Sequence, residues 1–103
     1  MTPSRSVHFS ALVERQPDNE LFRFSLAQAL INEARGSEAI EHLNVCAQKK
    51  SGWMMPRILL GKTLLQLGRR AEARPWFEEA LRLAIDQQHE DPESELRALL
   101  AGL

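Results

Sequence analysis

The sequence predicts an all-α protein in which antiparallel helix pairs stack into a solenoid, and three observations support this fold class. First, the chain repeats itself at an offset of 34 residues, the length of one helix–turn–helix unit in stacked repeat proteins. Second, Leu and Ala dominate the apolar residues, which favours helices. Third, five glycines, five prolines and no tyrosine are too few turn-forming and strand-favouring residues for a sheet of several strands.

The internal repeat preserves both residue identity and residue size. Two complete repeats with one further helix at each end make about six helices, which is enough because about three stacked units are usually needed for stability. The identical pairs are Arg23/Arg57, Leu26/Leu60, Leu30/Leu64, Arg35/Arg69, Glu38/Glu72 and Ala39/Ala73, and the similar pairs are Ala27/Gly61, Ala34/Gly68, Leu43/Phe77 and Cys46/Ala80.

The N-terminal part of the chain predicts one helix before the first repeat. Residues 1–6 are polar and are expected to be flexible. A helix is expected over residues 8–16, where Pro17 stops it. Its inward face is expected to carry Phe9, Leu12 and Val13.

The first repeat, residues 20–53, is expected to contain two helices. Asp18 or Asn19 caps the first of them, which should span 20–33. The chain turns around Ala34, and Ser37 is expected to cap the second helix. The spacing of their apolar residues marks the buried faces, which comprise Leu26, Ala27, Leu30, Ala39, Leu43 and Cys46.

The second repeat, residues 54–88, is expected to follow the same plan. Its first helix should run over 54–67 and end at Gly68 in a left-handed cap. The partner helix should begin near Ala71, so that Pro75 lies in its opening turns and its missing N–H costs little; an earlier start would predict a kink. Residues expected to face inward are Ala73, Phe77, Ala80, Leu81 and Ala84.

A capping helix is predicted over residues 92–101. Asp91 followed by Pro92 is typical of an N-cap and a first helical residue. Its apolar stripe is expected to consist of Leu96, Leu99 and Leu100, with Trp76 or Leu83 packed nearby.

These residues resemble the tetratricopeptide repeat (TPR) family, over about residues 9–88. Its pattern places a Leu and a small residue in the first helix of a unit, a glycine at the turn, and Glu-Ala, an aromatic residue and a small residue in the second helix. The second unit matches with Leu60-Gly61, Leu64, Gly68, Glu72-Ala73, Phe77 and Ala80, and the first with Leu26-Ala27, Leu30, Glu38-Ala39, Leu43 and Cys46. The chain is also similar to small bacterial proteins that consist of little more than two such repeats.

The sequence departs from the family pattern at two places in each unit or its turn. Arg23 and Arg57 stand where the family has an early aromatic residue, and Ala34 stands where the first unit should have its turn glycine. The small residues at 27 and 61 are expected to let the two helices of a pair approach closely.

The resemblance implies a right-handed superhelix whose concave groove is lined by the first helix of each unit and binds another protein. Family members that hold a peptide carboxylate present Lys, Arg and Asn there, but Phe24 and Ile58 occupy such places here, so this mode is disfavoured. Trp53, Met54 and Met55 are expected to extend the groove at one rim. The candidate groove residues are Leu21, Phe24, Gln28, Ile31, Asn32, Met55, Ile58, Leu59, Lys62, Leu65 and Gln66.

No catalytic or metal-binding constellation is expected. His8, His42 and His89 fall on different predicted helices, and Cys46 lies on a buried stripe where its thiol should be inert. Gly61-Lys62-Thr63 lacks the upstream glycine of a phosphate loop and reads as continuous helix. We therefore expect no enzyme activity, no cofactor and no metal.

Charge and composition disfavour two further classes of partner. The formal charge is −1, and basic residues are interleaved with acidic ones, whereas nucleic-acid binders carry a basic excess on one face. No apolar run is long enough for a leader or a membrane span, and a single cysteine gives no disulfide framework. The expected location is the cytoplasm.

Two functions remain open from the sequence. The first is an interaction module that binds a short apolar or amphipathic segment of another protein in the groove. The alternative is homo-oligomerisation, in which the apolar helix faces meet in a homodimer or scaffold. The N-terminal segment or an adjacent helix covering the groove would account for its apolar residues without any partner.

Overall fold

The fold was analysed in a computed structural model that describes residues 4–103. Within this range the chain forms helices and turns, with no β-strand. The all-α, TPR-like helical repeat predicted from the sequence is confirmed. The six helices are α1 (Arg5–Arg15), α2 (Glu20–Asn32), α3 (Gly36–Lys49), α4 (Met54–Gln66), α5 (Arg70–Asp86) and α6 (Glu90–Ala101).

The helices pack in chain order, each against the one before it and the one after it. Helices α2 and α3 form the first repeat, and α4 and α5 form the second. The molecule measures 43 × 27 × 20 Å, with a radius of gyration of 14.0 Å, above the roughly 13 Å typical of a compact domain of about 100 residues. This elongation follows because each layer contacts only its neighbours.

Two buried clusters form the core, one in each half of the stack. The first includes Leu26, Leu30 and Leu43, and the second includes Leu64, Phe77 and Leu96. Ile40 and Trp76 pack against both clusters and therefore join them. The predicted inward faces of α2 to α5 are buried, except that Leu81 is only half-buried.

The closest packing inside a repeat lies between Gly61 of α4 and Phe77 of α5. A Cβ atom added to Gly61 would stand 2.6 Å from Cδ1 and 2.8 Å from Cζ of the Phe77 ring, which is closer than carbon atoms can approach. The equivalent residues of the first repeat are Ala27 and Leu43, which are also fully buried. A smaller side chain on one helix thus accompanies a larger one on its partner.

The turns inside the two repeats have the same geometry. Ala34 and Gly68 both adopt left-handed backbone conformations, with φ of 60° and 79°. The next residue donates its N–H to the carbonyl of Leu30 or Leu64 at 2.8 Å. The alanine in the first turn therefore keeps the geometry that a glycine would adopt, at a steric cost of about 1–2 kcal/mol.

Three predicted helix starts are wrong. Helix α1 begins at Arg5 rather than residue 8, because the Ser4 side chain caps it by accepting from the N–H of Val7. The predicted flexibility of residues 1–6 is thus wrong for residues 4–6, and residues 1–3 lie outside the described part. Helix α3 begins at Gly36, directly after the Ala34 turn, so that Ser37 lies inside it rather than at the cap.

Helix α6 begins at Glu90, with His89 as its N-cap residue, so that neither Asp91 nor Pro92 holds its predicted place. The cause is a left-handed residue, Gln88, with φ of 58°. It reverses the chain just after α5 and allows the N–H of His89 to reach the carbonyl of Ala84 at 2.9 Å. The same reversal ends α5 at Asp86, two residues before the predicted limit.

Pro75 lies inside α5, as its sixth residue. Because the helix begins at Arg70, the missing N–H of Pro75 removes the bond that the carbonyl of Ala71 would otherwise accept. The expectation that this proline costs little is therefore wrong. Its ring is exposed at the surface of the stack.

Arg57 is a buried charge that connects three helices. Its side chain is 4% exposed, and Nε donates to Oε1 of Glu79 on α5 at 2.6 Å. Its Nη atoms donate to the carbonyls of Ala47, Lys50 and Trp53 at 2.7–3.2 Å. The departure from the family's aromatic residue thus satisfies carbonyls at the end of α3 that have no partner within their own helix.

We predict that Gly61→Ala destabilises the protein by about 1–3 kcal/mol, because the added methyl group overpacks the Phe77 ring. Combining it with Phe77→Leu recreates the alanine–leucine pair of the first repeat. The double variant should therefore lose less stability than the sum of the two single variants, by about 1 kcal/mol or more. Urea denaturation of all three variants measures this coupling, and strictly additive losses would contradict the packing argument.

We predict that Ala34→Gly raises the free energy of unfolding by about 1 kcal/mol, because glycine adopts a positive φ without a steric penalty. The reciprocal change, Gly68→Ala, should lower it by a similar amount. Both positions are exposed, so packing changes do not confuse the comparison. Thermal and urea unfolding measure both effects, and stabilisation by Gly68→Ala would refute the shared turn geometry.

Candidate functional site

Four of the eleven predicted groove residues line one cleft. Gln28, Ile31 and Asn32 come from α2, and Leu59 comes from α4. Ser25, Ala29 and Arg5 complete the lining of this cleft, whose volume is about 390 Å³. We call it the α2/α4 cleft, since it lies between the first helices of the two repeats, where the family resemblance places the groove.

The α2/α4 cleft follows from the helical periodicity of α2. Residues 25, 28, 29 and 32 are three or four positions apart and therefore share one face. Leu26 and Leu30 lie on a different face and belong to the first buried cluster. The cleft combines apolar surface from Ile31 and Leu59 with the amides of Gln28 and Asn32, which suits an amphipathic segment.

Arg5 is a lining residue that the sequence analysis missed, because residues 1–6 were expected to be flexible. Its guanidinium carbon lies 5.6 Å from the centre of the Phe9 ring, a distance at which a cation is attracted to an aromatic face. Ser4 before the first helical residue is an N-cap signal that marks the earlier start of α1. Arg5 adds a positive charge to the wall of the α2/α4 cleft.

Leu21 and Phe24 lie at the other end of α2, next to the turn between the two repeats. The rings of Phe24 and Trp53 meet with centroids 4.9 Å apart, and the Lys50 ammonium lies 5.7 Å from the Trp53 centroid. Leu21, which is 59% exposed, lines a separate opening with Lys50, Gly52 and Trp53. These residues therefore form an edge apart from the α2/α4 cleft.

Two predicted groove or rim residues belong to the core instead. Ile58 is 6% exposed and Met54 is 7% exposed, and both lie in the second buried cluster. Ile58 is therefore not a groove anchor, and Met54 does not extend the rim, whereas Met55 is exposed. Both errors arose because α4 buries side chains all around, being packed by α3 and α5 on separate faces.

The remaining predicted residues of α4 do not line the α2/α4 cleft. Lys62 forms an ion pair with Glu95 of α6. Leu65 is partly buried against the second cluster, and Gln66 is exposed at the end of the helix. The partner of Lys62 could not be predicted, because the position of α6 depends on the turn at Gln88.

The nucleophile and motif candidates have structural roles. Burial raises the pKa of the Cys46 thiol to about 11, and its Sγ lies 3.4 Å from the carbonyl oxygen of Glu20, so the predicted inert core position is confirmed. Gly61-Lys62-Thr63 lies in the middle of α4. Within residues 4–103, no three His, Cys, Asp or Glu side chains come together as a metal site.

His42 is half-buried on α3, where its Nδ1 lies 3.2 Å from Nη1 of Arg23. Burial, followed by the positive charge of Arg23, lowers the pKa of His42 below 6.5, and Glu41 opposes the shift. A neutral ring that accepts a hydrogen bond from Arg23 accounts for this contact. The described helices include none with the length and apolar content needed to span a membrane.

Comparison with known proteins identifies the family. No family model matches the chain. A TPR repeat-containing protein of Pseudomonas aeruginosa is 30% identical over 86 residues, which cover 84% of this chain and 82% of that protein. Together with the six-helix stack, this similarity shows that the chain belongs to the tetratricopeptide repeat family. Members of this family are typically non-enzymatic protein-interaction modules, and this suggests the same class of function here.

We predict that the stability of the protein falls as the pH drops below about 6.5, because unfolded His42 binds a proton there that the folded protein resists. His42→Gln should reduce this fall, whereas His89→Gln at the exposed start of α6 should leave it unchanged. A second loss is expected below about pH 4.5 in all variants, because hydrogen bonds from Arg35 and Arg69 lower the pKa of Glu38 and Glu72. Melting temperatures across this pH range test both parts, and an equal fall in His42→Gln would contradict the first.

Proposed function

We propose that the protein is an interaction module that holds a short amphipathic segment of another protein in the α2/α4 cleft. The observation that carries the proposal is the grouping of Gln28, Ile31, Asn32 and Leu59 around an open space of about 390 Å³. This volume falls within the range of about 300–1,000 Å³ that is typical of binding pockets.

The lining of the cleft suits a segment with one apolar face and one polar or acidic face. Ile31 and Leu59 offer apolar contacts, while the Gln28 and Asn32 amides can donate and accept hydrogen bonds. Arg5 offers the positive charge on the wall of the cleft. An acidic or polar group beside an apolar anchor would therefore find a complementary partner.

The expected affinity is modest. Each apolar side chain of the partner that becomes fully buried contributes about 1.5–3 kcal/mol. Two or three such anchors must offset the loss of translational and rotational freedom on association, which costs at least about 4 kcal/mol. Dissociation constants on the order of micromolar follow from this balance.

The test compares two substitutions of the same chemical type. Gln28→Arg fills the α2/α4 cleft with a long charged side chain, whereas Gln48→Arg places the same side chain on the exposed surface of α3. We predict that proteins captured from a native lysate by the parent are reduced about tenfold or more with Gln28→Arg and retained with Gln48→Arg. Quantitative mass spectrometry of the captured proteins measures the difference.

Equal capture by both variants would overturn the assignment of the cleft. Circular dichroism of both proteins verifies that the helices are intact, as expected for substitutions at exposed positions. Light scattering over a dilution series tests the alternative function, because a dimer that is lost with Gln28→Arg would make a second copy of the chain the occupant of the cleft.

A further inference from the structure

A second cleft, of about 400 Å³, lies between α1 and α3 and uses a different face of α2. We call it the α1/α3 cleft. Leu26 and Leu30 of α2 contribute apolar side chains to it, and both belong to the first buried cluster. Its walls are formed by Ser6, Ser10, Ala11 and Glu14 of α1 and by Glu38 and His42 of α3, with Val7 and Arg35 completing the lining.

The internal repeat shows what normally fills this space. A shift of 34 residues places the α1/α3 cleft onto the contact between α3 and α5, and Leu26 and Leu30 onto Leu60 and Leu64. There, Trp76 and Ile40 pack against both buried clusters. Four wall positions of the α1/α3 cleft carry smaller side chains than their equivalents, in the pairs Ser6/Ile40, Ser10/Asn44, Ala11/Val45 and His42/Trp76.

The α1/α3 cleft is therefore a place where the repeat lacks its own filling side chains. The closest guide to an occupant is Trp76, because it stands at the position equivalent to His42 and packs between two helices of the same kind. An aromatic ring entering the cleft would contact Leu26 and Leu30 and would gain the stabilisation that burial of an aromatic side chain provides.

The charges around the α1/α3 cleft favour a positive group beside that ring. Glu14 and Glu38 line the cleft, and Glu33 accepts a hydrogen bond from the Ser6 hydroxyl at 2.6 Å. Arg35 is the cation in the lining, and both of its outer contacts are with carboxylates, since Nε donates to Glu38 at 2.7 Å and Nη1 lies 3.7 Å from Glu33. Three carboxylates thus surround one guanidinium, with Arg23 behind His42.

We propose that the α1/α3 cleft is a second binding site, which takes an aromatic side chain of a partner protein together with a positively charged group next to it. This site is separate from the α2/α4 cleft, so that either proposal can fail without the other. The partner completes the packing that Trp76 completes within the second repeat.

Tryptamine is a suitable probe, because it joins an indole ring to an ammonium group. In a two-dimensional NMR titration of the full chain, tryptamine should shift the signals of Ser10, Leu26 and Leu30 with saturation at a dissociation constant on the order of 1 mM. Indole-3-propionate presents the same ring with a carboxylate and should bind about threefold or more weaker. Equal affinity for the two probes would overturn the stated chemistry of the occupant.

Filling the cleft from within should remove the site. The double variant Ala11→Val/His42→Trp copies the second repeat and should weaken tryptamine binding about tenfold or more. Ser10→Asn copies another equivalent residue at an exposed position and serves if the double variant fails to fold. The matched control is Ser94→Asn on the exposed surface of α6, which should bind tryptamine as the parent does.

Three results would overturn the proposal. The first is the absence of saturable shifts at the α1/α3 cleft with tryptamine. The second is unchanged tryptamine affinity in both filled variants. The third is a shift pattern centred on Asn32 and Leu59, which would place the probe in the α2/α4 cleft instead.

Discussion

The close approach of α4 and α5 at Gly61 and Phe77 is the constraint on which the rest of the stack depends. The ring occupies the space that a side chain on residue 61 would need, which fixes both the distance between the two helices and their alignment along the axis. The first repeat reaches the same arrangement with Ala27 and Leu43. Because both pairs are fully buried, each repeat behaves as a rigid unit that can be stacked.

The arginines that replace the family's aromatic residue connect one unit to the next. Arg57 bonds to carbonyls at the end of α3 and to Glu79 of α5, and Arg23 donates to the carbonyl of Pro17 at 3.0 Å. Both side chains thus bind the turn that precedes their own unit. A buried guanidinium with all of these partners specifies the geometry of the junction, since an apolar side chain there would leave the carbonyls without donors.

Differences between the two repeats create the candidate binding surfaces. The second unit is filled by Trp76, whereas the first carries His42 at the equivalent position and leaves the α1/α3 cleft open. The α2/α4 cleft arises in a similar way, where the small side chains of Ser25 and Ala29 lie between larger ones. A repeat protein can therefore gain binding sites by reducing side chains at positions where the fold does not need them, as long as each helix keeps one fully packed face.

The predictable part of the structure is the part that local sequence determines. Turn signals such as Gly68 and the recurrence of small and large residues gave the helices and their inward faces. Errors occurred where a distant contact decided the outcome, as at α6, whose start depends on the left-handed Gln88, and at Ile58, which looked like a groove residue. A helical wheel shows one buried face for each helix, but it does not show how many neighbours a helix has.

By itself, then, the sequence determined the period of 34 residues, the helical fold class and the residues that lock each helix pair, because these depend on spacing and side-chain size along the chain. Only the tertiary structure decided which side chains meet across units: Arg5 beside Asn32, Lys62 with Glu95, and the open space next to His42. The physical reason is that these contacts depend on how successive units are placed against one another, and that placement is set by turn conformations and interhelical packing that no local pattern encodes.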